Sequence, residues 1–191
     1  SAVMALILGI CAATLGKKVD SAISFAIDTV MGIPHILLLI LISYAMGKGL
    51  KGVIAGVALT HWTSLARLIR GEVMQLRESE YIQIAGKLGL GKWEIAKKHI
   101  VPHVLPQFIV GLVLLFPHAI LHESSITFLG FGLSTEQPAI GVILSESMRY
   151  LIMGKWWLAV FPGMMLVLTV VLFEKGGTAL RQLLDPGSVH K

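Results

Sequence analysis

The chain has 191 residues, 55% hydrophobic and 14% charged, with mean hydropathy +0.79 and a formal net charge of +5. A soluble domain carries roughly 25% charged residues, so too few remain here to cover a water-exposed surface, and lipid must solvate much of the chain. A soluble enzyme and a disordered chain are excluded together. The basic residues are dispersed between apolar runs instead of forming a stripe interleaved with aromatics, which argues against a nucleic-acid partner.

Five segments approach the about 20 residues that a helix rising ~1.5 Å per residue needs to cross hydrocarbon. The first, residues 1–16, lacks an initiating Met, a basic leader and a cleavage site, so it reads as the remainder of a longer helix cut at its outer end and not as a secretory signal. Its Cys11 is the single cysteine and can neither close an intrachain disulfide nor complete a multi-cysteine zinc site. The second, residues 21–46, carries Asp28 and Pro34 ahead of the apolar stretch 36–42. The third, residues 52–68, contains Thr60, His61, Thr63 and Ser64, and a span with polar groups faces a bundle or a pore instead of lipid.

Residues 69–99 are too polar to cross a membrane and too regular for a slack connection. Tyr81, Ile84, Ala85 and Leu88 recur at helical spacing, as do Trp93, Ala96 and Ile100, with Gly89-Leu90-Gly91 as a turn between them. Helices this short are marginal alone, so their apolar faces need a surface, either the protein's own helix ends or a groove in a soluble partner.

The fourth span, 100–128, holds Pro102, Pro106 and Pro117, which free backbone groups that neighbouring helices or water must satisfy. It ends in Pro117-His118-Ala119-Ile120-Leu121-His122-Glu123-Ser124-Ser125, polar where a lipid-facing helix has no such groups. His118 and His122 are four apart and share a helix face. Two imidazoles with a nearby carboxylate suit a borderline transition metal such as nickel, the alternative being hydrogen-bonded bundle residues. His35 and His61 read as structural or interfacial positions. An outer loop, 130–155, precedes the cleanest span, 156–173, which opens on Trp156-Trp157 at a headgroup interface. Residues 174–191 form the tail.

Alternating the spans puts Lys17, Lys18, Arg67, Arg70, Arg77, Lys87, Lys92, Lys97, Lys98, Lys175, Arg181 and Lys191 on one side, against Lys48, Lys51, Arg149 and Lys155 on the other. The richer side is expected to be cytoplasmic, with the carboxyl terminus inside. No internal repeat or flexible linker divides the sequence, so a single transmembrane domain is expected over residues 1–191.

The stretch from Glu80 to Gly89, followed by His99-Ile100-Val101-Pro102, resembles the loop motif of ABC-importer permease subunits. That motif runs Glu-Ala-Ala, three residues, Gly, nine residues and Ile-x-Leu-Pro; here Gln83-Ile84-Ala85 stand at the first element, Gly89 at the Gly, and His99, Val101 and Pro102 in the last. Gln83 and Ile84 depart from the consensus while the spacing is intact. Ser124-Ser125-Ile126-Thr127-Phe128-Leu129-Gly130-Phe131-Gly132, then Pro138, Gly141, Leu144 and Glu146, then Trp157 to Gly163, and Leu180-Arg181-Gln182-Leu183-Leu184-Asp185-Pro186 look like the dipeptide, oligopeptide and nickel branch of the same family.

The resemblance implies an all-α, polytopic bundle in the cell inner membrane, usually of six spans, so the chain is expected to be amino-terminally incomplete. It implies a second permease subunit, two ATPase subunits that bind ATP and Mg in place of any cofactor in this chain, and an extracytoplasmic substrate-binding protein. Tyr81, Gln83, Ile84, Ala85, Leu88, Gly89 and Pro102 would couple to the ATPase. His118, His122, Glu123, Ser124 and Ser125 would line the substrate pathway, with His118 and His122 as metal contacts. Nickel or a metal chelate is favoured over di- and oligopeptides as cargo.

Two other functions place different demands on these residues. A stand-alone secondary carrier would need coupling-ion groups at mid-membrane, for which Asp28 and Glu123 are the candidates. An intramembrane metalloprotease would need the Glu between its two His ligands, whereas Glu123 follows the second. No phosphate-binding loop appears, so ATP must be hydrolysed on another chain.

Overall fold

A computed structural model describes residues 1–184; the sequence features at Asp185, Pro186 and Lys191 lie outside the described residues. The described chain is an all-α polytopic bundle. Its helices are α1 (Ala2–Thr14), α2 (Lys17–Gly32), α3 (His35–Ala45), α4 (Gly49–Thr60), α5 (Trp62–Arg77), α6 (Glu80–Lys87), α7 (Lys92–Ile95), α8 (Val101–Phe128), α9 (Ile140–Leu151) and α10 (Trp157–Leu184). A π-helical turn, Ala96–Ile100, joins α7 to α8.

Three helical stretches are long and apolar enough to cross a membrane: Gly49–Arg77, Trp93–Phe128 and Trp157–Leu184. The helices α2 and α3 meet the same criterion only when taken together, as a broken span or a re-entrant loop. The break sits at Ile33-Pro34, where the proline ring removes a backbone donor and disfavours helical geometry in the residue before it. The segment read as one run over 21–46 is therefore two helices. α1, at 13 residues, is a shorter apolar helix.

Pro102, Pro106 and Pro117 leave α8 continuous. The π-helical turn absorbs the first: Val101 donates its N–H to Ala96, one residue further back than in an α-helix, just before the position where Pro102 has none to give. Two further extents differ from the pattern in the sequence. α10 runs on through Glu174 and Lys175 to Leu184, and residues 130–155 contain α9. Both regions keep an intact backbone ladder although their side chains turn polar, because helix continuation depends on local hydrogen bonding and not on hydropathy.

The chain forms two compact units. Unit 1 comprises, among the described residues, 1–32, 62–112 and 177–184. In it α1 packs along α5. Lipid tails are as apolar as leucine, so such contacts depend on close packing, which small residues permit. Ala5, Ala12, Ala13 and Ala66 are buried, and a Cβ added to Gly9 would come within 2.8 Å of Ile69 and 2.9 Å of the Ala66 carbonyl oxygen. Asp20 on α2 accepts two hydrogen bonds from the Arg70 guanidinium on α5, and Arg77 donates to the Ala13 carbonyl.

Unit 2 comprises residues 33–61 and 113–176. α3 and α4 form a hairpin whose turn, Gly47-Lys48-Gly49, has three successive residues at positive φ, a conformation that glycine adopts without steric cost. Gly52 faces Ser43, where an added Cβ would lie 2.6 Å from the carbonyl oxygen, so the two backbones nearly touch. Leu39, Val53 and Ile126 form the core, flanked by Ile40, Val57 and Leu133. The segment after α8 is stitched to this hairpin: Ser43 Oγ donates to the Phe131 carbonyl at 2.7 Å, and the Gly49 N–H to the Gly132 carbonyl at 3.0 Å.

Candidate functional site

Unit 1 presents the helical turn between α5 and α8. α6 ends in a Schellman arrangement: the Gly89 N–H bonds the Gly86 carbonyl at 3.1 Å, the Leu90 N–H bonds the Ala85 carbonyl at 3.2 Å, and Gly89 takes φ +91°. This reversal sets α7 after α6. The inward stripe is Ile82 and Ala85 on α6, continued by Ala96 and Ile100, all buried. Tyr81, Ile84 and Leu88 face outward with Trp93, and Leu88 and Trp93 are about four-fifths exposed, at 78% and 82%. The helical spacing that groups Ala85 with Tyr81, Ile84 and Leu88 thus spans two faces, because Ala85 also sits one turn from Ile82 and follows it inward.

Gln83 is exposed and donates from Nε2 to the Glu78 carbonyl at 3.1 Å, bracing the start of its own helix. Pro102 is exposed at the start of α8. It lines a cleft with Glu72, His103, Gln107 and Arg181, about 470 Å³ in volume. Asp28 pairs with Arg67 at 2.5 Å, so that carboxylate already has a cationic partner within unit 1.

Unit 2 carries the polar end of α8. Glu123 accepts hydrogen bonds from Thr127 Oγ1 at 2.8 Å and from Ser124 Oγ at 3.3 Å. Thr127 Oγ1 in turn accepts the Leu133 N–H at 3.0 Å. Glu123 therefore orders the turn that follows its own helix. Ser124 is buried, and Ser125 donates back to the Leu121 carbonyl at 2.7 Å. His118 is exposed and its Nδ1 bonds the Leu114 carbonyl at 2.9 Å.

His122 gathers with His35 and His61. Each of the three offers one ring nitrogen, and these atoms lie within 4.8 Å of one another. Ring centroids are 4.4 Å apart for His35 and His122, 4.9 Å for His35 and His61, and 5.0 Å for His61 and His122. Interplanar angles of 57°, 72° and 84° show rings meeting around a common point and not stacking. His35 and His61 are the residues that sequence reasoning passed over. Each stands at a helix break, His35 directly after Pro34 and His61 at the joint between α4 and α5; Pro34 is a signal in the sequence, whereas the joint at His61 falls inside the segment 52–68 read as one span.

A family model described as "binding-protein-dependent transport system inner membrane component" matches residues 5–188. The dipeptide transport system permease protein of Bacillus subtilis is 32% identical over 181 residues, covering 95% of this chain and 57% of the relative. The oligopeptide transport system permease protein of Bacillus subtilis is 30% identical over 190 residues, 97% of this chain and 62% of the relative. The nickel transport system permease protein of Escherichia coli is 31% identical over 186 residues, 96% of this chain and 66% of the relative. The chain spans 57% to 66% of the length of these three relatives.

Proposed function

The chain belongs to the binding-protein-dependent transport system inner membrane components, and from that membership we propose that it is a permease subunit of an ATP-driven importer, forming half of a translocation pathway. In this reading a second permease subunit supplies the other half. Two ATPase subunits bind ATP and Mg on the cytoplasmic side, together with the carboxyl terminus of this chain, and a substrate-binding protein delivers cargo from outside. The cargo is nickel or a metal chelate, or a di- or oligopeptide, the substrate classes in the names of the relatives.

The observation that carries the proposal is the outward stripe of Tyr81, Ile84, Leu88 and Trp93 on a turn whose inner stripe is already buried. Water does not favour four large apolar side chains on one short helical turn, and aromatic and aliphatic anchors of this kind are what a partner's pocket takes. Docked in the ATPase, the turn would pass nucleotide-driven closure to α5 and α8, the helices on either side of it. Gly89 makes the reversal rigid at no steric cost, whereas any L-residue there must adopt an unfavourable left-handed backbone.

The test compares substrate-stimulated ATPase and uptake in the reconstituted importer. Leu88→Glu and Trp93→Ala remove exposed side chains, so each is expected to shift folding stability by no more than about 0.5 kcal/mol while abolishing stimulation. Gly89→Leu is expected to fail in the same way. Full coupling in all three variants would overturn the docking role, and transport by the purified chain without an ATPase would favour a stand-alone carrier.

A further inference from the structure

Three imidazoles converge in unit 2, and the hydrogen bonds of two of them leave a ring nitrogen lone pair unused. A carbonyl oxygen can only accept, so the 2.7 Å contact between His122 Nδ1 and the His118 carbonyl puts the proton on Nδ1 and the free lone pair on Nε2. His61 repeats this logic. Thr60 Oγ1 donates to the Gly56 carbonyl at 2.9 Å and so meets His61 Nδ1, 3.1 Å away, as an acceptor. His61 Nε2 is then a bare acceptor, buried and with no hydrogen-bond partner among the described residues. His61 as a whole residue is 6% exposed. Metal-bound histidines are held in this way, with the non-ligating N–H donated to a carbonyl or hydroxyl that fixes tautomer and orientation.

The third member is held more loosely. His35 Nε2 lies 3.5 Å from Thr60 Oγ1, and its half-buried ring can rotate toward the other two. Ligands at the usual metal–nitrogen length of about 2.0–2.1 Å stand about 3.4 Å apart in a tetrahedral site, so closing up from within 4.8 Å needs side-chain rotation and no change of backbone.

The donor set decides the ion. Imidazole nitrogens suit nickel, zinc, copper and cobalt, and do not suit magnesium or calcium, which take oxygen ligands. No carboxylate belongs to the cluster, since Glu123 is engaged by Thr127 and Ser124. A dication there would keep its full charge. His35 also stands in the first turn of α3, whose amino-terminal partial positive charge opposes a cation.

We propose that His35, His61 and His122 form a transition-metal site with three imidazole ligands and an open fourth position, which takes a borderline divalent cation and releases it readily because no negative charge offsets it. As a binding site it is independent of the permease assignment; as a stop on the path of a transported cation it rests on that assignment.

The test uses the full chain assembled with its partner permease in detergent. Co²⁺ binding is followed by its visible absorption and Ni²⁺ binding by equilibrium dialysis, with Mg²⁺ as the control ion. One Co²⁺ or Ni²⁺ per copy of this chain is expected, with affinity falling at least about tenfold in His35→Ala, His61→Ala and His122→Ala and unchanged in His118→Ala. His122→Gln is the second variant at a half-buried position, where volume is kept and the ligand lost. Absence of saturable binding, or equal affinity in all the cluster variants, overturns the site. Binding that follows this pattern in an assembly without ATP-dependent Ni²⁺ uptake supports the site and counts against its place on a transport path.

Discussion

Asp20 and Arg70 join α2 to α5 in unit 1 as a fork of opposite charges, whereas His35, His61 and His122 in unit 2 meet as three imidazoles that bring no opposite charges together. Both are polar clusters at contacts between helices, where a buried group without a partner is expensive. The first is complete as the chain folds. The second is complete only when something positive is added, and that asymmetry separates a joint that holds helices from a place that receives a ligand.

Breaking the joint should have the largest effect. Arg70→Leu leaves the Asp20 carboxylate, about three-quarters buried, without its partner, and removal of one member of such a pair costs about 3 kcal/mol. Arg70→Leu combined with Asp20→Asn should regain most of that loss, because the stranded charge is gone. Denaturation midpoints in detergent would measure both, and equal losses in the single and double variants would show that the two groups do not compensate each other. The corresponding operation in unit 2 has the opposite sense: removing an imidazole strands no charge, so metal affinity should fall further than stability.

A smaller effect is expected where backbones touch. An alanine methyl at Gly52 would stand 2.6 Å from the Ser43 carbonyl oxygen, and one at Gly141 2.6 Å from the Ser124 carbonyl oxygen. Backbone cannot step aside as a side chain can, so each substitution should cost about 2 kcal/mol. Gly52→Ala should also weaken Co²⁺ binding, because it pushes α4, which leads to His61, away from α3, which carries His35. Loss of stability with unchanged Co²⁺ affinity would show that the α3–α4 contact does not set the histidine spacing.

What the sequence made legible follows from the range of the forces involved. Composition and the apolar runs give the helical, lipid-solvated class because both are sums over many residues. Pro34 and Gly89 announce the break and the reversal because their effects are local to the backbone. The group Tyr81, Ile84, Ala85 and Leu88 divides between two faces for a related reason: these positions cover a broad arc of the helix, and periodicity alone does not say which edge of the arc turns inward. His35 and His122 lie on different helices and His61 at the joint between two others, and no local spacing relates them. The pair His118 and His122 looked like a site because i,i+4 neighbours share a face, yet each uses Nδ1 on a carbonyl of its own helix, and the partners of His122 come from elsewhere in the fold.

The smallest effect is expected on α10. A Cβ built on Gly163 meets nothing within 4 Å, and none of the most apolar stretch of this helix is buried by the rest of the chain. Gly163→Ala should therefore leave stability unchanged or raise it by up to about 1 kcal/mol through helix propensity. Gly9→Ala is the contrast within the same protein, since its methyl would strike Ile69 and the Ala66 carbonyl and should cost about 2 kcal/mol. Glycine in a membrane helix is thus two different residues, one that lets a neighbour approach and one that faces lipid or a partner subunit. Measuring Gly163→Ala twice, on this chain alone and on its assembly with the second permease proposed above, separates those last two surroundings. Equal stability in both places α10 against lipid at this position, and a loss confined to the assembly would make the Gly163 face the contact between the permeases.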